Sequence, residues 1–137
     1  MLTTQGNPNG HVILRGGKQT NYDSVSVTEC EQEMAKSGLE ASLMVDCSHA
    51  NSRKDYRRQP LVAEDVIHQI REGNKSIIGL MIESHINEGN QSSELALDEM
   101  KYGVSITDAC INWESTEALL RHAHEELVPF LENRLKG

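Results

Sequence analysis

Polar side chains suited to binding or catalysis stand directly after three separate apolar runs. Arg15 follows the first run, His49 lies just beyond the second, and Glu83 ends the third. A fourth candidate, Asp108, lies in a long polar segment. Imidazole nitrogen and carboxylate oxygen together suit a divalent metal ion such as Mn, Fe, Co or Zn, and an arginine suits a phosphate or carboxylate. The residue types therefore indicate an anionic substrate held beside a metal ion.

Each of these residues also has a purely structural interpretation. His49 fits a hydrogen-bonded loop histidine, and Glu83 fits a buried carboxylate with a polar partner. Asp108 fits the cap of a short turn, and Arg15 fits an ion pair. The remaining candidates are expected to be structural or to face solvent: His11, His68, His122 and His124.

A short basic run follows His49. Its members are Arg53, Lys54, Arg57 and Arg58. Such a run is typical of a solvated face, and the alternative is that it steers anions towards the polar ends of the strands.

The three cysteines, Cys30, Cys47 and Cys110, are odd in number and far apart. They form no CxxC pair, which argues against a disulfide framework and against a four-cysteine zinc site. We expect three reduced thiols that behave as small apolar side chains.

The elements that must position these residues follow from the apolar pattern. Short apolar runs bounded by glycine or polar residues predict buried strands over residues 11–15, 43–47 and 77–83. Apolar residues at helical spacing predict helices over residues 24–37, 60–73 and 113–127. Residues 84–112 are long and mostly polar. Nearly continuous apolar strands that alternate with helices predict a parallel sheet with helices packed on it.

The helix ends carry their own signals. Ser26 with Glu29 predicts a capping box, and Pro60 fits the first turn of the second helix. Pro129 is expected to break or kink the last helix. The residues after it, Phe130, Leu131 and Leu135, would then cover part of the sheet.

A parallel arrangement makes the three polar strand ends meet. The carboxyl ends of parallel strands lie at one rim of the sheet, where ligands bind in α/β folds. We therefore expect Arg15, His49 and Glu83 to converge there.

Composition restricts the class of protein. The 137 residues carry a net charge of −8 and suggest one domain, at about 150 residues per domain. The negative charge argues against nucleic acid as the main partner. The longest apolar run has six residues, whereas a membrane span needs about 20. The polar N-terminus has no secretory signal, which predicts a cytoplasmic protein without membrane contact.

Several long strings resemble one enzyme family. HVILRGGK at 11–18, MVDCSHAN at 44–51, IIGLMIESH at 77–85 and SITDACINWE at 105–114 occur in the order seen in type I 3-deoxy-D-arabino-heptulosonate 7-phosphate (DAHP) synthases. CSHANSRKDYRRQP and EGNQSS are most similar to the tyrosine-regulated isoenzyme. Long strings in order over nearly the whole chain are far more specific than one short motif.

The resemblance implies a fold and an activity. The family fold is a (β/α)8 barrel, and this chain resembles its last three strands with their helices. It would thus be an α/β, incomplete barrel, with residues 1–137 as one partial domain. The family opens the shikimate pathway by condensing phosphoenolpyruvate with erythrose 4-phosphate, with release of phosphate, and requires a divalent metal ion.

The resemblance also assigns roles to residues. His49, Glu83 and Asp108 match three of the four metal ligands of the family, with His49 and Asp108 also expected to be catalytic. Arg15 matches an arginine that holds phosphoenolpyruvate. Neither Cys47 nor Cys110 matches the fourth ligand, a cysteine. The first five strands and the lysine-proline-arginine-threonine segment that grips both substrates have no counterpart here.

Three interpretations remain open at this point. In the first, which the open sheet edges favour, the chain is the C-terminal part of a synthase and works with the missing N-terminal part or as a homo-oligomer. In the second, it is an autonomous, non-catalytic remnant that binds a metal ion or phosphate. In the third, it is a metalloenzyme of another class, such as an aldolase or hydrolase.

Overall fold

The computed structural model describes residues 2–134. Strands and helices alternate along the chain, as the apolar pattern predicted. They are β1 (Val12–Leu14), α1 (Ser24–Lys36), β2 (Leu43–Asp46), a short 3-10 helix (Tyr56–Arg58), α2 (Gln59–Arg71), β3 (Ile77–Met81) and α3 (Trp113–Arg134). The strands are one to two residues shorter than predicted, and the 3-10 helix was not predicted.

The three strands form one parallel sheet in the order β1-β2-β3. Leu14 pairs with Val45, Val45 pairs with Leu80, and one irregularity between Leu43 and Met44 shifts the register towards β3. The carboxyl ends of all three strands therefore lie at the same rim, as expected for part of a (β/α)8 barrel.

One face of the sheet is covered by helices. Strand residues Leu43, Val45 and Ile77 are fully buried against apolar positions of α1 and α2. The helix residues of this core are Val27, Met34, Val66 and Ile70. The seven-residue and four-residue spacings within these pairs place each pair on one side of its helix. Buried aliphatic side chains on both layers hold the strands and hence the rim in place.

The N-cap of helix α1 is Asp23, not the predicted Ser26. The Asp23 carboxylate accepts hydrogen bonds from the backbone N–H groups of Val25 and Ser26 and from the Ser26 hydroxyl. The prediction that Ser26 and Glu29 form the capping box is wrong, because Ser26 lies inside the first turn. A carboxylate at the N-cap satisfies two free N–H groups and complements the helix dipole.

Helix α3 is longer than predicted and contains Pro129 in its interior. Of the predicted break or kink at Pro129, the break does not occur, because the helix continues through this residue. A proline removes one backbone hydrogen bond, but tertiary contacts anchor the helix on both sides: Leu127 packs against the core, and the Arg134 guanidinium donates to the carbonyls of Lys75 and Ile77. Phe130 and Leu131 are about 40% exposed, and Leu135 lies outside the described residues.

The long polar segment over residues 84–112 is fixed without helices or strands. Isolated bridges join Ser84 to Ile111, Gly89 to Cys110 and Asn90 to Ser105. These bridges fold the segment back on itself beside the end of β3. Within residues 2–134, no helix is long and apolar enough to cross a membrane.

Candidate metal centre

The rim brings together three of the four predicted site residues. The His49 Nε2 atom lies 3.5 Å from Asp108 Oδ2 and 3.9 Å from Glu83 Oε1. One ligand atom from each residue falls within 4.8 Å of the others. These residues come from the loop after β2, from just beyond the end of β3 and from the long loop before α3. The convergence follows from the parallel order of the strands and from the fold of the loop.

A buried carboxylate orients His49. The Nδ1 atom lies 2.7 Å from Asp46 Oδ2 and 2.7 Å from the Ser48 hydroxyl oxygen. Asp46 is 1% exposed, and its other oxygen accepts hydrogen bonds from the Ser48 backbone N–H and hydroxyl. Because a carboxylate only accepts hydrogen bonds, Nδ1 carries a proton in this contact, and Nε2 is the ring nitrogen that remains to serve as a ligand atom. Nε2 therefore faces Glu83 and Asp108.

The backbone of His49 adopts a left-handed conformation, with φ of 48°. Such a conformation is unfavourable for a residue other than glycine and persists where the surroundings fix it. Here the His49 carbonyl accepts hydrogen bonds from the Lys54 backbone N–H and the Ser52 hydroxyl. The loop after β2 therefore holds the imidazole at a set angle.

Gln59 fixes the main chain at Glu83. The fully buried Gln59 side chain donates to the Glu83 carbonyl and accepts from the Glu83 backbone N–H, at 3.0 and 2.8 Å. This paired contact continues the sheet-like bonding beyond the last residue of β3. The contact involves only the main chain of Glu83. The half-buried Glu83 carboxylate forms no hydrogen bond in the described part of the chain.

The long polar loop over residues 84–112 positions Asp108. The Ile111 backbone N–H donates to the Glu83 carbonyl, and the Cys110 backbone N–H donates to the Gly89 carbonyl. Asn90 adds a side-chain hydrogen bond to the Thr107 carbonyl. The segment just after Asp108 is thus tied to the loop and to the main chain beyond the end of β3, which places the Asp108 carboxylate opposite His49.

The three side chains line a cavity of about 330 Å³. Its wall also includes Ser52, Lys54, Tyr56 and Asn90. One imidazole nitrogen and two carboxylates match the donors that divalent transition metals take from proteins. The donor set fits a divalent metal ion with three protein ligands, which leaves coordination positions for a fourth ligand or a substrate.

Arg15 is not brought into this cavity. It follows β1 directly, is exposed, and has neither an ion pair nor a side-chain hydrogen bond within residues 2–134. The alternative interpretation as a structural ion-pair partner therefore finds no support in this part of the chain. Its guanidinium is available at the rim for an anion.

Cys47 is not among the described residues whose possible ligand atoms converge at the centre. Its side chain is fully buried among Val62, Ala63 and Leu119, and burial raises the pKa of its thiol to about 12. All three cysteines are free thiols, as predicted.

Two positions escaped the sequence interpretation, Asp46 and Gln59. The sequence interpretation treated Asp46 only as part of the polar end of its strand. An acidic residue three positions before a candidate ligand histidine could have indicated a carboxylate that orients the imidazole. Gln59 had no signal in the sequence, because its partners are backbone groups 24 residues away.

Known proteins resemble this chain over nearly its whole length. The family model described as DAHP synthetase I family matches residues 1–121. The Tyr-sensitive phospho-2-dehydro-3-deoxyheptonate aldolase of Enterobacter agglomerans is 67% identical over 135 residues, which span 98% of this chain and 63% of that protein. The Tyr-sensitive enzyme of Escherichia coli K12 is 68% identical over 127 residues, which span 93% of this chain and 36% of that protein.

Two further proteins extend the comparison. The Phe-sensitive enzyme of Escherichia coli K12 is 52% identical over 121 residues. The structure of phospho-2-dehydro-3-deoxyheptonate aldolase from Francisella tularensis SCHU S4 superimposes with a TM-score of 0.84 at 40% identity, over 90% of this chain and 36% of that one. The chain therefore spans only part of the length of the relatives that it matches.

Proposed function

This chain belongs to the DAHP synthetase I family, and on that basis we propose that it carries the metal centre of an enzyme that condenses phosphoenolpyruvate with erythrose 4-phosphate. The products would be DAHP and inorganic phosphate. The observation that supports this most directly is the convergence of His49, Glu83 and Asp108 within 4.8 Å. The sequence resemblance assigns metal-ligand roles to the same three residues.

The proposed roles follow from the chemistry of each side chain. A divalent metal ion held by His49, Glu83 and Asp108 would supply a Lewis acid for an oxygen of the aldehyde substrate. Asp46 holds the imidazole with its Nε2 atom facing Glu83 and Asp108. Arg15, free of ion pairs in the described residues, would neutralise the charge of phosphoenolpyruvate through paired hydrogen bonds.

We propose the tyrosine-regulated form of the enzyme. The chain is 67% and 68% identical to two Tyr-sensitive relatives and 52% identical to a Phe-sensitive one. Since the chain spans 36% of the Escherichia coli Tyr-sensitive protein, we infer that catalysis needs the part of the barrel that those relatives have and these residues lack.

The decisive experiment grafts this chain onto the missing part. The matching segment of the Escherichia coli Tyr-sensitive relative is replaced by this sequence, and phosphate release from phosphoenolpyruvate is followed with and without erythrose 4-phosphate, Mn²⁺ or a chelator. We expect release that needs both the sugar phosphate and the metal ion. The 137-residue chain alone is expected to give no release.

Matched variants of the graft assign the residues. His49→Ala should lower turnover at least about 100-fold. His122→Ala is the control and should leave turnover unchanged, since His122 lies on α3 and pairs with Glu64 of α2. Arg15→Ala should raise the KM for phosphoenolpyruvate without changing metal affinity. A graft that folds and binds Mn²⁺ but releases no phosphate would refute the proposed reaction.

A further inference from the structure

The side chain of Asn51 joins the ends of two strands beyond the point where their pairing stops. The last paired residues of β1 and β2 are Leu14 and Val45. Past them, the Asn51 Nδ2 group donates hydrogen bonds to the Leu14 carbonyl at 3.0 Å and to the Asp46 carbonyl at 2.9 Å. Asn51 is 2% exposed. A single buried carboxamide therefore fixes the carboxyl end of β1 against that of β2.

The same side chain also holds the loop that follows β1. The Asn51 Oδ1 atom accepts from the Asn21 backbone N–H at 2.8 Å, and the Asn21 Oδ1 atom accepts from the Gly16 N–H at 2.7 Å. Both N–H groups and the oxygen of the Asn51 carboxamide thus have partners. Arg15 lies between Leu14 and Gly16. The main chain before Arg15 is therefore tied to Asn51 directly, and the main chain after it is tied to Asn51 through Asn21.

Asn51 belongs to the loop that carries His49. It binds the carbonyl of Asp46, whose carboxylate orients the His49 imidazole. Asn51 and the Leu14 carbonyl are 37 residues apart in the sequence. Asn51 does not line the cavity of the metal centre. The position of Arg15 is therefore linked to that of His49 by a side chain outside the site.

The two loops also touch at a glycine. Gly16 has φ of 74°, a conformation that favours glycine. A Cβ atom at this position would lie 2.8 Å from the Ala50 Cβ atom and 3.0 Å from the Asn51 Oδ1 atom. The hydrogen bonds of Asn51 and the missing side chain of Gly16 therefore act together, because both keep the loop after β1 against the loop after β2.

A substrate bound by one residue and activated through another reacts efficiently only when the two residues keep their separation, and a displacement of about 1 Å can cost about 100-fold in rate. We propose that Asn51 is a positioning residue, which holds Arg15 at a set place relative to His49 without contacting the substrate. The inference rests on the proposed function, because it takes Arg15 as the residue that binds the anionic substrate. Removal of the Asn51 carboxamide frees the end of β1, which pairs with one neighbour only. His49 meanwhile keeps its contacts with Asp46 and Ser48.

The test uses the graft of this sequence onto the Escherichia coli Tyr-sensitive relative. Asn51→Ala should raise the KM for phosphoenolpyruvate at least about tenfold, because Arg15 is no longer held in place. The affinity for Mn²⁺ should stay within about threefold, since the ligands of the metal centre keep their own contacts. An unchanged KM would overturn the proposal, as would a loss of Mn²⁺ affinity as large as the rise in KM.

A double-mutant cycle separates a role through Arg15 from an independent one. In the graft that already carries Arg15→Ala, Asn51→Ala should raise the KM by less than about twofold more, because the residue through which Asn51 acts is absent. If the two substitutions instead raise the KM by independent factors that multiply, Asn51 does not act through Arg15 and the proposal fails.

Asn74→Ala is the matched control for Asn51→Ala. The Asn74 side chain accepts from the Ile77 backbone N–H and donates to the Glu31 carboxylate, at the amino end of β3. Its removal should lower the melting temperature and leave the KM for phosphoenolpyruvate unchanged, since the amino ends of the strands lie away from the rim. A rise in KM as large as that of Asn51→Ala would attribute both effects to general destabilisation and overturn the proposal.

Gly16→Ala disturbs the same contact from the opposite loop. Its Cβ atom would collide with Ala50, so we expect a rise in KM of the same kind. Gly38→Ala is the matched control, since Gly38 has a similar φ of 70° but open space around the added Cβ atom. Should Asn51→Ala fail to fold, these two variants decide the question, and equal KM values in both would overturn the proposal.

Amide hydrogen exchange distinguishes a failure of this proposal from a failure of the proposed function. It is measured on the same folded grafts and needs no turnover. Asn51→Ala should speed exchange at residues 15–21, where the Asn21 N–H loses its acceptor, whereas Asn74→Ala should not. A graft that shows this pattern but releases no phosphate would refute the proposed reaction while supporting the link between the two loops. Unchanged exchange at residues 15–21 would overturn the positioning role whether or not the graft is active.

Discussion

At the scale of the residue, the candidate metal centre depends on a group that does not face it. Asp46 is buried, accepts from His49 Nδ1 and is itself held by Ser48. Hydrogen bonds to the second nitrogen of a ligand histidine fix its tautomer and its ring orientation. The affinity of the centre should therefore be sensitive to a residue that contributes no ligand atom.

We predict that Asp46→Asn lowers the affinity of the chain for Mn²⁺ or Zn²⁺ by about 10-fold to 100-fold. The asparagine side chain keeps the size of aspartate but loses the charge that anchors the Nδ1 proton. Calorimetric titration measures the affinity, and thermal melting shows whether the variant is folded. Asp98→Asn is the matched control, because Asp98 is exposed and its side chain forms no hydrogen bond or ion pair among the described residues. A folded Asp46→Asn chain with unchanged affinity would remove Asp46 from this role.

The buried Cys47 predicts a specific response to alkaline pH. Burial raises the pKa of its thiol from 9.0 to about 12, so the unfolded chain loses this proton at lower pH than the folded one. The stability that the protonated thiol contributes is fully present below pH 9 and is lost as the pH rises towards 12.

We therefore expect Cys47→Ala to flatten the fall in unfolding free energy between about pH 9 and 11, by up to about 1.4 kcal/mol per pH unit. Urea titrations at several pH values measure this slope. Cys30→Ala serves as the comparison, since Cys30 is only partly buried. The same slope in the unchanged chain and in the Cys47→Ala chain would contradict the assignment.

At the scale of the element, the position of a helix and its limits are determined by different interactions. The helix positions follow from apolar spacing, but the start of α1 is decided by the Asp23 carboxylate, and α3 continues through Pro129 to Arg134, whose guanidinium donates to the Ile77 carbonyl. Neither the Asp23 cap nor the Arg134 contact is part of the apolar spacing that predicts a helix. The Asp23 cap is a local interaction, whereas tertiary contacts accompany the helix through Pro129 and offset the local proline preference.

Asp23→Ala should destabilise the chain by about 1 kcal/mol at neutral pH, because it removes the N-cap of α1. Hydrogen bonds from Ser26 lower the pKa of the Asp23 carboxyl below its ordinary value. Its contribution is therefore present above that ordinary value and is lost as the pH falls through the lowered one. Chemical denaturation at pH 7 and at pH 3 should show a difference between the two chains that shrinks in acid. Ser26→Ala, which keeps the carboxylate, should cost less, and the reverse order would point to Ser26 as the cap.

At the scale of the whole molecule, one face of the sheet keeps apolar side chains exposed, and its two outer strands each have one unpaired edge within the described residues. Helices pack against the side that holds Leu43, Val45 and Ile77, whereas Ile13 and Ile78 stay 42% and 58% exposed. Strands β1 and β3 each pair with one neighbour only. Unpaired strand edges and exposed apolar side chains favour association with another chain.

We predict that the isolated chain self-associates and that Ile13→Lys weakens this association. A lysine on the open face places a charge where a second apolar surface would pack, and the buried core is untouched. Sedimentation velocity over a range of protein concentrations measures the effect. Leu97→Lys is the matched control, because it makes the same kind of change in the long loop, away from the sheet, at a side chain that is 88% exposed. A chain that stays monomeric at high concentration would contradict the expectation.

The sequence by itself determined the order of the elements, the parallel sheet and the family, because these depend on apolar spacing and on long strings of residues. It also indicated three of the residues that now lie together, His49, Glu83 and Asp108. Only the tertiary structure decided that Arg15 does not line their cavity and that Asp46 and Gln59 support them. These outcomes depend on distances between loops that are far apart in the chain, and local spacing carries no information about such distances.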